Sequence, residues 1–499
     1  MRAWSADQLA RVAGARRLAR AQSARGPERV VIDSREAGPG VLFVGLAGKR
    51  VDGGRFAAQA LAAGAWGVLV AHEYAAAVQS GAPGAVLAAD DPLPALQRLA
   101  RAWRRELGAK VIGVTGSTGK TSTKDLLMAV LAPHRRTVAS RENYNTEIGL
   151  PLEILGAPAE SEILVLEMAM RGPGQIAELA AVAEPDVGVI VSIGPVHLEL
   201  LGTVEAIAAA KAELIAALAP GATAIVPAGE RLLEPHLRAD LETVTFGEDG
   251  DVRLLRSDAG EVEIDLVGEA VTLAVPFTQA HLRRNLLAAV AAARAVGVVP
   301  DGRVELVLSA GRGERVALPD GVTLIDDCYN ANPVSMRAAL DELAAASASS
   351  TATAASSTAT AASSTATAAG TSAPAAGTTA TAARTTAAAT RSPGAGRCRR
   401  VAVLGDMLEL GAGERDFHVE VGRHAGQAGV EVLVTVGPLA RWIADGFPGE
   451  AHCVDDAVEA AELLPELISP GDVVLVKGSR GVGLELVCRA LGTPAGVRS

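Results

Sequence analysis

The segment from Gly113 to Thr121 has the residue types and the spacing of a phosphate-binding loop. It reads Gly-Val-Thr-Gly-Ser-Thr-Gly-Lys-Thr, after a short apolar run at 110–114 and before a helical pattern at 122–131. Glycines let backbone N–H groups approach phosphate oxygens closely, and the start of a helix adds a favourable dipole. We therefore predict that a nucleoside triphosphate binds the loop residues Thr115, Gly116, Ser117, Thr118 and Gly119.

The two residues that end this loop carry the predicted chemistry. Lys120 is expected to place its charge on the β- and γ-phosphates, and the hydroxyl of Thr121 is expected to ligate Mg²⁺. The strict phosphate-loop pattern, with a glycine five positions before Gly119, is not met because Val114 stands there. The alternative interpretation is a glycine-rich turn that only connects a strand to a helix.

A second candidate site is the polar segment 326–333, which reads Asp-Asp-Cys-Tyr-Asn-Ala-Asn-Pro. It follows an apolar run at 322–325, and polar side chains after the carboxyl end of a strand suit ligand contact in an open α/β sheet. The alternative is an ordinary strand-to-helix turn in which Asn and Pro serve only the turn geometry.

The elements that position both sites alternate between short β-branched runs and Ala/Leu-rich helical patterns, which is typical of parallel α/β sheets. We predict an α/β protein with a small N-terminal domain, a central doubly wound P-loop domain whose sheet is mostly parallel, and a C-terminal Rossmann-like domain. The predicted ranges are 1–107, 108–311 and 312–499. An Ala/Ser/Thr-rich insert at about 344–396 lacks large apolar side chains, so we predict that it is disordered.

Bulk properties exclude several classes of protein. The chain has 499 residues, of which 49% are hydrophobic and 21% charged, so it is expected to fold into more than one domain. A formal net charge of -11 argues against broad binding to nucleic acid or anionic membranes. We found neither a run of transmembrane length nor the apolar core of a signal peptide, and the four cysteines are scattered without metal spacing. These features predict a cytoplasmic protein without membrane insertion.

The shortened loop ending in Lys120 and Thr121 resembles that of the Mur ligases and their folylpolyglutamate synthetase relatives. Other segments agree with that family in the same order along the chain. The Asp-Ser-Arg at 33–35 and the segment 48–53 resemble the N-terminal UDP-sugar-binding module, and the loop at 143–151 resembles a substrate-contacting loop. The resemblance implies that substrate contacts come from Ser34, Arg35, Arg50, Asn143 and Asn145.

The resemblance also implies metal ligands and catalytic residues. Glu167 is similar to a Mg²⁺-binding glutamate, His197 to a metal ligand, and Lys211 to the lysine that Mur ligases carbamylate. Together with Thr121 these would hold the cation, while Lys120, Lys211 and His197 would be catalytic. Carbamylation needs a neutral amine, so we expect a desolvated or cation-adjacent Lys211 with a lowered pKa. The alternatives are a helix-cap glutamate, an interior histidine and a solvated lysine.

The polar segment 326–333 resembles the signature of the family members that add D-alanyl-D-alanine. The resemblance implies that ATP is held by Asn285, Arg312, Asp327, Tyr329 and Asn330. Further anion or substrate contacts are implied for Asn332, Lys477 and Arg480. One departure concerns the sugar module, where the family's usual Asp-Gly-His is replaced by Asp-Gly-Gly at 52–54.

The activity implied is ATP- and Mg²⁺-dependent amide ligation by a monomer in peptidoglycan precursor synthesis. The carboxylate of UDP-N-acetylmuramoyl-tripeptide would attack the γ-phosphate, and the amine of D-alanyl-D-alanine would attack the resulting acyl phosphate. No enzyme nucleophile is needed, so catalysis would rest on positioning and charge neutralisation. The alternatives are another Mur-type or folylpolyglutamate-type ligase, or a nucleotide-binding switch without ligase activity.

Overall fold

The computed structural model describes residues 4–20, 25–141, 143–258, 260–346 and 398–492. The chain forms two compact units, Met1–Ser309 and Ala310–Ser499. Two sheets belong to the first unit and one to the second. Within the described ranges, no helix combines the length and the apolar character needed to cross a bilayer.

The N-terminal sheet has five strands in the order β1-β5-β4-β3-β2, and only β1 is antiparallel to its neighbour. Its inner strands are continuous buried apolar runs, because helices cover a parallel sheet on both faces. The strands are β1 Arg16–Ala19, β2 Arg29–Val31, β3 Val41–Val44, β4 Gly67–Ala71 and β5 Ala85–Ala89. The helices are α1 Ala6–Ala13, α2 Ala57–Ala62, α3 His72–Val78 and α4 Pro92–Leu107.

The second sheet has ten strands in the order β15-β14-β13-β12-β11-β10-β9-β6-β8-β7. Its strands are β6 Lys110–Thr115, β7 Thr137–Ala139, β8 Ile163–Glu167, β9 Val187–Ile190, β10 Thr223–Pro227, β11 Glu242–Phe246, β12 Val252–Asp258, β13 Glu261–Leu266, β14 Glu269–Ala274 and β15 Gly302–Arg303. Its helices are α5 Lys120–Leu131, α6 Gly149–Gly156, α7 Gln175–Ala183, α8 Leu198–Leu201, α9 Val204–Ala217 and α10 Ala280–Ala295.

The order of the parallel strands in this sheet determines where a ligand can bind. β6 lies between β8 on one side and β9 on the other, so the connections that leave their carboxyl ends diverge beside β6. Such a switch point opens a crevice at the carboxyl edge of the sheet. The phosphate loop follows β6 and therefore lies at that crevice, and the predicted doubly wound, mostly parallel α/β fold is confirmed.

Strands β12 to β14 were not predicted from the sequence. They form an antiparallel extension of the parallel sheet, with β13 between β12 and β14. The alternation was readable, because buried Val262, Ile264 and Leu266 are separated by acidic residues. The predicted strands were those with continuous apolar runs. The strands β12 to β14 instead alternate between buried and more exposed residues, so they were not predicted.

The sheet of the second unit has six strands in the order β16-β17-β21-β18-β19-β20, and only β16 is antiparallel. The strands are β16 Glu314–Ala317, β17 Thr323–Asp326, β18 Arg400–Gly405, β19 Val432–Val436, β20 Ala451–Val454 and β21 Val473–Lys477. The helices are α11 at 333–346, α12 Glu414–Gln427, α13 Arg441–Gly446, α14 Ala457–Leu467 and α15 Glu485–Gly492. The predicted insert at about 344–396 lies outside the described residues from position 347 onward.

Candidate active site

The phosphate loop, residues 115–121, runs from the end of β6 into the first turn of α5. Gly119 has a φ of 79°, a left-handed conformation that favours glycine. A Cβ atom at this position would lie 2.9 Å from Oδ1 of Asn285 and 2.9 Å from Cγ1 of Val191. Only glycine therefore fits, and the buried Asn285 of α10 lies directly against the loop.

The segment that follows β9 holds the loop in shape. The Ser117 hydroxyl donates to the Gly194 carbonyl at 3.0 Å and accepts from the Gly194 amide at 2.9 Å. The Thr118 amide donates to the Ser192 hydroxyl at 2.9 Å. Because these bonds are internal to the protein, the loop is organised before any ligand arrives.

The side chain of Lys120 folds back over the phosphate loop. Its Nζ donates to the Gly116 carbonyl at 2.8 Å, and the side chain is half-buried. An ammonium held at the start of a helix, above a glycine-rich turn, can neutralise phosphate charge. The structure therefore places the ammonium of Lys120 against the backbone of the loop.

Two predicted metal ligands meet beside the loop. The Thr121 hydroxyl donates to Oε2 of Glu167 at 2.9 Å, and the amide of Asn145 donates to Oε1 at 2.9 Å. Glu167 is the last residue of β8, and it is buried together with Thr121. Hydroxyl and carboxylate oxygens are the donors that Mg²⁺ prefers, so this pair fits a magnesium ion. The predicted substrate residue Asn145 is a hydrogen-bond partner of the same carboxylate.

Lys211 projects from α9 and is only 2% exposed. Burial lowers the pKa of its amine well below the ordinary value, and the positive charge of Lys120 adds to that shift. The structure thus confirms the expected desolvated, cation-adjacent amine. This environment disfavours the charged ammonium, so the amine of Lys211 can react as a nucleophile more readily than that of an exposed lysine.

His197 lies at the end of the segment that holds the phosphate loop. It comes three residues after Gly194 and has a φ of 54°, in the left-handed region that few non-glycine residues occupy. Strained backbone of this kind is often found at functional sites. The histidine is half-buried rather than a fully enclosed interior residue.

The predicted sugar-binding residues lie at the carboxyl edge of the N-terminal sheet, after β2 and β3. The Arg35 amide and guanidinium both donate to Asp33, at 2.9 Å each, and this contact lowers the pKa of Asp33 to about 2. Ser34 begins the same turn. The guanidinium of Arg35 stays 85% exposed although it pairs with Asp33, and the side chain of Arg50 is exposed as well.

The departure from the family pattern at Gly54 coincides with a close contact between Gly54 and Tyr74. A Cβ atom on Gly54 would overlap the ring of Tyr74, so no side chain fits at that position. Asp52 still accepts from the Gly54 amide at 2.8 Å and keeps the local turn. In this chain the aromatic ring of Tyr74 therefore occupies the space beside Gly54.

The loop that contains Asn145 also contains Asn143, a further predicted substrate residue. Asn143 adopts a left-handed φ of 64°, as asparagine does more readily than most residues. Arg141 stacks over the ring of Tyr144, with its Cζ atom 4.3 Å from the ring centroid. The amide of Arg141 and its guanidinium also donate to the buried carboxylate of Glu153.

The second unit gathers most of its predicted residues at the carboxyl ends of β17 and β21. Nζ of Lys477 donates to Oδ2 of Asp327 at 2.7 Å and to the Asn330 carbonyl at 2.9 Å. Burial raises the pKa of Asp327, and the Lys477 ammonium opposes that shift. Lys477 is 2% exposed, so it stabilises the turn from within.

Two arginines flank one aromatic ring in this unit. Cζ of Arg312 lies 3.8 Å from the ring centroid of Tyr329, and Cζ of Arg480 lies 5.3 Å from the same centroid. This cationic and aromatic cluster suits a nucleotide, through stacking and through charge. Asn332 follows in the same segment, and its Oδ1 accepts from the Ser335 amide at 2.9 Å and caps the helix α11.

A buried ion pair on the phosphate-loop helix was missed by the sequence analysis. Lys124 and Asp125 are 7% and 8% exposed, and Nζ lies 2.9 Å from Oδ1. Asp125 also accepts from the Ser309 amide at 2.9 Å and from its hydroxyl at 3.1 Å. Ser309 is the last residue of the first unit, so the pair fixes where the chain leaves that unit. Two adjacent charges, placed where the polar first turn of α5 meets its apolar second half, were the available signal.

We expect Asp125→Ala to lower the free energy of unfolding by about 3–5 kcal/mol, because Lys124 would be left buried without its partner. Chemical denaturation of the full chain measures the change. The double variant Lys124→Met, Asp125→Leu removes both charges and should lose clearly less stability. Equal losses in the single and double variants would contradict this account.

Family models for three Mur ligase domains match successive parts of the chain. They are the Mur ligase family catalytic domain at residues 28–104, the Mur ligase middle domain at 114–293 and the Mur ligase glutamate ligase domain at 374–480. The UDP-N-acetylmuramoyl-tripeptide--D-alanyl-D-alanine ligase of Bacillus subtilis is 33% identical, and the match covers 93% of this chain and 92% of that protein. The ligase of the same name from Mycobacterium tuberculosis is 35% identical, with 93% and 91% covered.

Solved structures agree with these sequence matches. MurF from Acinetobacter baumannii superposes with a TM-score of 0.78 at 26% identity, and 98% of each chain is covered. MurF ligase from Thermotoga maritima in complex with ADP has a TM-score of 0.74 at 29% identity, with 93% of this chain and 97% of that chain covered.

Proposed function

The chain belongs to the Mur ligase family, and from this premise we propose that it joins D-alanyl-D-alanine to UDP-N-acetylmuramoyl-tripeptide in an ATP-dependent reaction. The product is an amide, formed with release of ADP and phosphate, and it is a precursor of peptidoglycan. The observation that carries the proposal is the contact of Thr121 with Glu167 beside Lys120, at the switch point of the central sheet. That arrangement provides oxygen ligands for a cation and a positive charge for phosphate in one crevice.

The reaction needs activation because a carboxylate is a poor electrophile. The peptide carboxylate attacks the γ-phosphorus of ATP, the bond to ADP breaks, and an acyl phosphate forms. The amine of D-alanyl-D-alanine then attacks the acyl carbon, loses a proton, and expels phosphate as the amide forms. Lys120 and the loop amides neutralise phosphate charge in the first step, and they do so from positions that are already organised.

Mg²⁺ supplies Lewis-acid charge compensation at the phosphates when it is bound. We propose that Thr121 and Glu167 hold it, with His197 and Lys211 completing its surroundings. Lys211 acts as a carbamate in this proposal. Its neutral amine attacks CO₂, a nitrogen–carbon bond forms, and one proton is lost to give an anionic oxygen ligand. The burial of Lys211 and its lowered pKa support this step, because only the unprotonated amine reacts.

The remaining sites are proposed from their geometry. Asn285 contacts the phosphate loop, and the cluster of Arg312, Tyr329 and Arg480 offers stacking and charge to a nucleotide or an anionic substrate. Asp327 and Asn330 are held in place by Lys477, so we assign that lysine a positioning role. Substrate contacts are proposed for Ser34, Arg35, Arg50, Asn143 and Asn145.

We also propose that the protein acts as a cytoplasmic monomer built from three domains, at 1–107, 108–311 and 312–499. Its substrates carry a nucleotide and a short peptide, and the net charge of -11 fits neither nucleic acid nor an anionic membrane as a partner. Gel filtration with light scattering tests the monomer directly.

Substrate omission tests the function. Phosphate release should require ATP, UDP-N-acetylmuramoyl-tripeptide and D-alanyl-D-alanine together, and leaving out any one should reduce it to background. Mass spectrometry should then show the amide product. Release that depends on a different amino acid, or on folate and glutamate, would identify another ligase of the group. Nucleotide binding without product from any acceptor would identify a switch protein.

A further inference from the structure

Two buried cysteines and one carboxylate form a cluster in the second unit that the proposed function does not use. Asp326 ends β17, Cys328 lies two residues later, and Cys488 projects from α15. One carboxylate oxygen and the two Sγ atoms all lie within 4.8 Å of one another. The cysteines are 7% and 9% exposed, whereas Asp326 is only half-buried.

The cluster is internally connected. The Cys328 amide donates to Oδ1 of Asp326 at 3.2 Å, which fixes the turn after β17. The Sγ atoms of Cys328 and Cys488 lie within 4.8 Å of each other. The two sulfur atoms thus face each other across the interface of a helix and a strand end, and the carboxylate closes the third side.

Two thiolates and a carboxylate are the donor set of a soft divalent cation. Zinc-class ions take sulfur and oxygen ligands in tetrahedral geometry, and sites with three protein ligands leave one position for water. Mg²⁺ prefers oxygen ligands, so this set differs in kind from the pair Thr121 and Glu167.

We propose that Asp326, Cys328 and Cys488 form a second metal site, selective for a thiophilic divalent cation such as Zn²⁺. Binding releases the two thiol protons and forms two metal–sulfur bonds and one metal–oxygen bond. The site lies beside Asp327, which Lys477 holds, and beside Tyr329, so a bound ion would brace the turn that carries the proposed nucleotide contacts. The proposal goes beyond the ligase function and does not depend on it.

Cobalt titration of the full chain tests this site. The protein is freed of metal with a chelator, kept reduced with a phosphine, and titrated with Co²⁺. We expect one equivalent to produce a thiolate-to-cobalt charge-transfer band, which Zn²⁺ then abolishes by displacement. X-ray absorption of the wild-type complex should count two sulfur neighbours, one from each cysteine of the cluster.

The variants are chosen to separate this cluster from other thiols. Cys488→Ser and Asp326→Asn should each bind Co²⁺ at least about tenfold more weakly, since each loses a ligand. The matched control is Cys453→Ser, because Cys453 is an exposed thiol of the same unit, and it should leave the titration unchanged. An unchanged band in Cys488→Ser, or no sulfur neighbour in the wild-type spectrum, overturns the proposal even if a variant folds poorly.

Discussion

Lys120→Ala is expected to lower the rate of phosphate release by about a hundredfold to a thousandfold, which is the size of effect seen when one preorganised donor is removed from a reacting centre. The ammonium lies over the phosphate loop, 2.8 Å from the Gly116 carbonyl, and no other lysine or arginine belongs to that loop. Without it, the negative charge that grows on the transferred phosphoryl group has lost its nearest protein cation.

A matched control for Lys120→Ala is available at the start of the strand that leads into the phosphate loop. Lys110 begins β6, is 60% exposed and pairs with Asp186 on the surface. Lys110→Ala should therefore keep normal turnover and lose little stability. Single-turnover release of phosphate, with nucleotide binding measured by calorimetry, separates a loss of chemistry from a loss of affinity. Near-normal turnover in Lys120→Ala would remove the phosphate loop from the mechanism.

Lys211→Arg is expected to lower turnover by at least about a hundredfold, because a carbamate can no longer stabilise the site. A guanidinium stays protonated at every pH of interest and cannot form a carbamate. It would also place a permanent cation at a position that is 2% exposed and already faces the charge of Lys120. The buried charge should reduce stability as well, so the kinetic loss alone is not decisive.

The variant Lys211→Met distinguishes a role of Lys211 as a carbamate from a role in packing alone. Methionine is apolar and of similar length, so the fold of α9 should survive, but it cannot react with CO₂. We expect this variant to keep its unfolding midpoint and to lose turnover as severely as Lys211→Arg. Wild-type turnover should also fall when dissolved CO₂ is scavenged and recover when bicarbonate is returned. Full activity of the methionine variant would show that Lys211 has only a packing role.

The local sequence was sufficient for the phosphate loop and for the strands that lead into the two candidate sites. Short β-branched runs at 110–114 and 322–325 correspond to β6 and β17, and the glycine turn after β6 adopts the left-handed backbone that glycine permits. These features depend on neighbouring residues, whose conformational preferences act within a few positions. The residues Lys120 and Thr121 could therefore be singled out without coordinates.

The pattern did not indicate which protein groups the predicted residues contact. Asn332 and Lys477 are both predicted to contact substrate, and the coordinates add that one caps α11 and the other is buried against Asp327. The type of a residue in a motif indicates which hydrogen bonds its side chain can make. It does not indicate which protein group or ligand will be its partner. In a folded unit the nearest protein groups compete with the ligand for the same donors.

Sequence alone determined that this protein has a nucleotide-binding α/β architecture with a reactive loop after β6. Only the tertiary structure decided which side chains meet. Thr121 and Glu167 are 46 positions apart and come together because β6 and β8 are parallel neighbours. Asp125 and Ser309 are also far apart in the sequence and meet only in the folded chain, as do Cys328 and Cys488. The physical reason is that propensity acts locally along the chain, whereas contacts between distant side chains depend on strand order and on the packing of helices against the sheet.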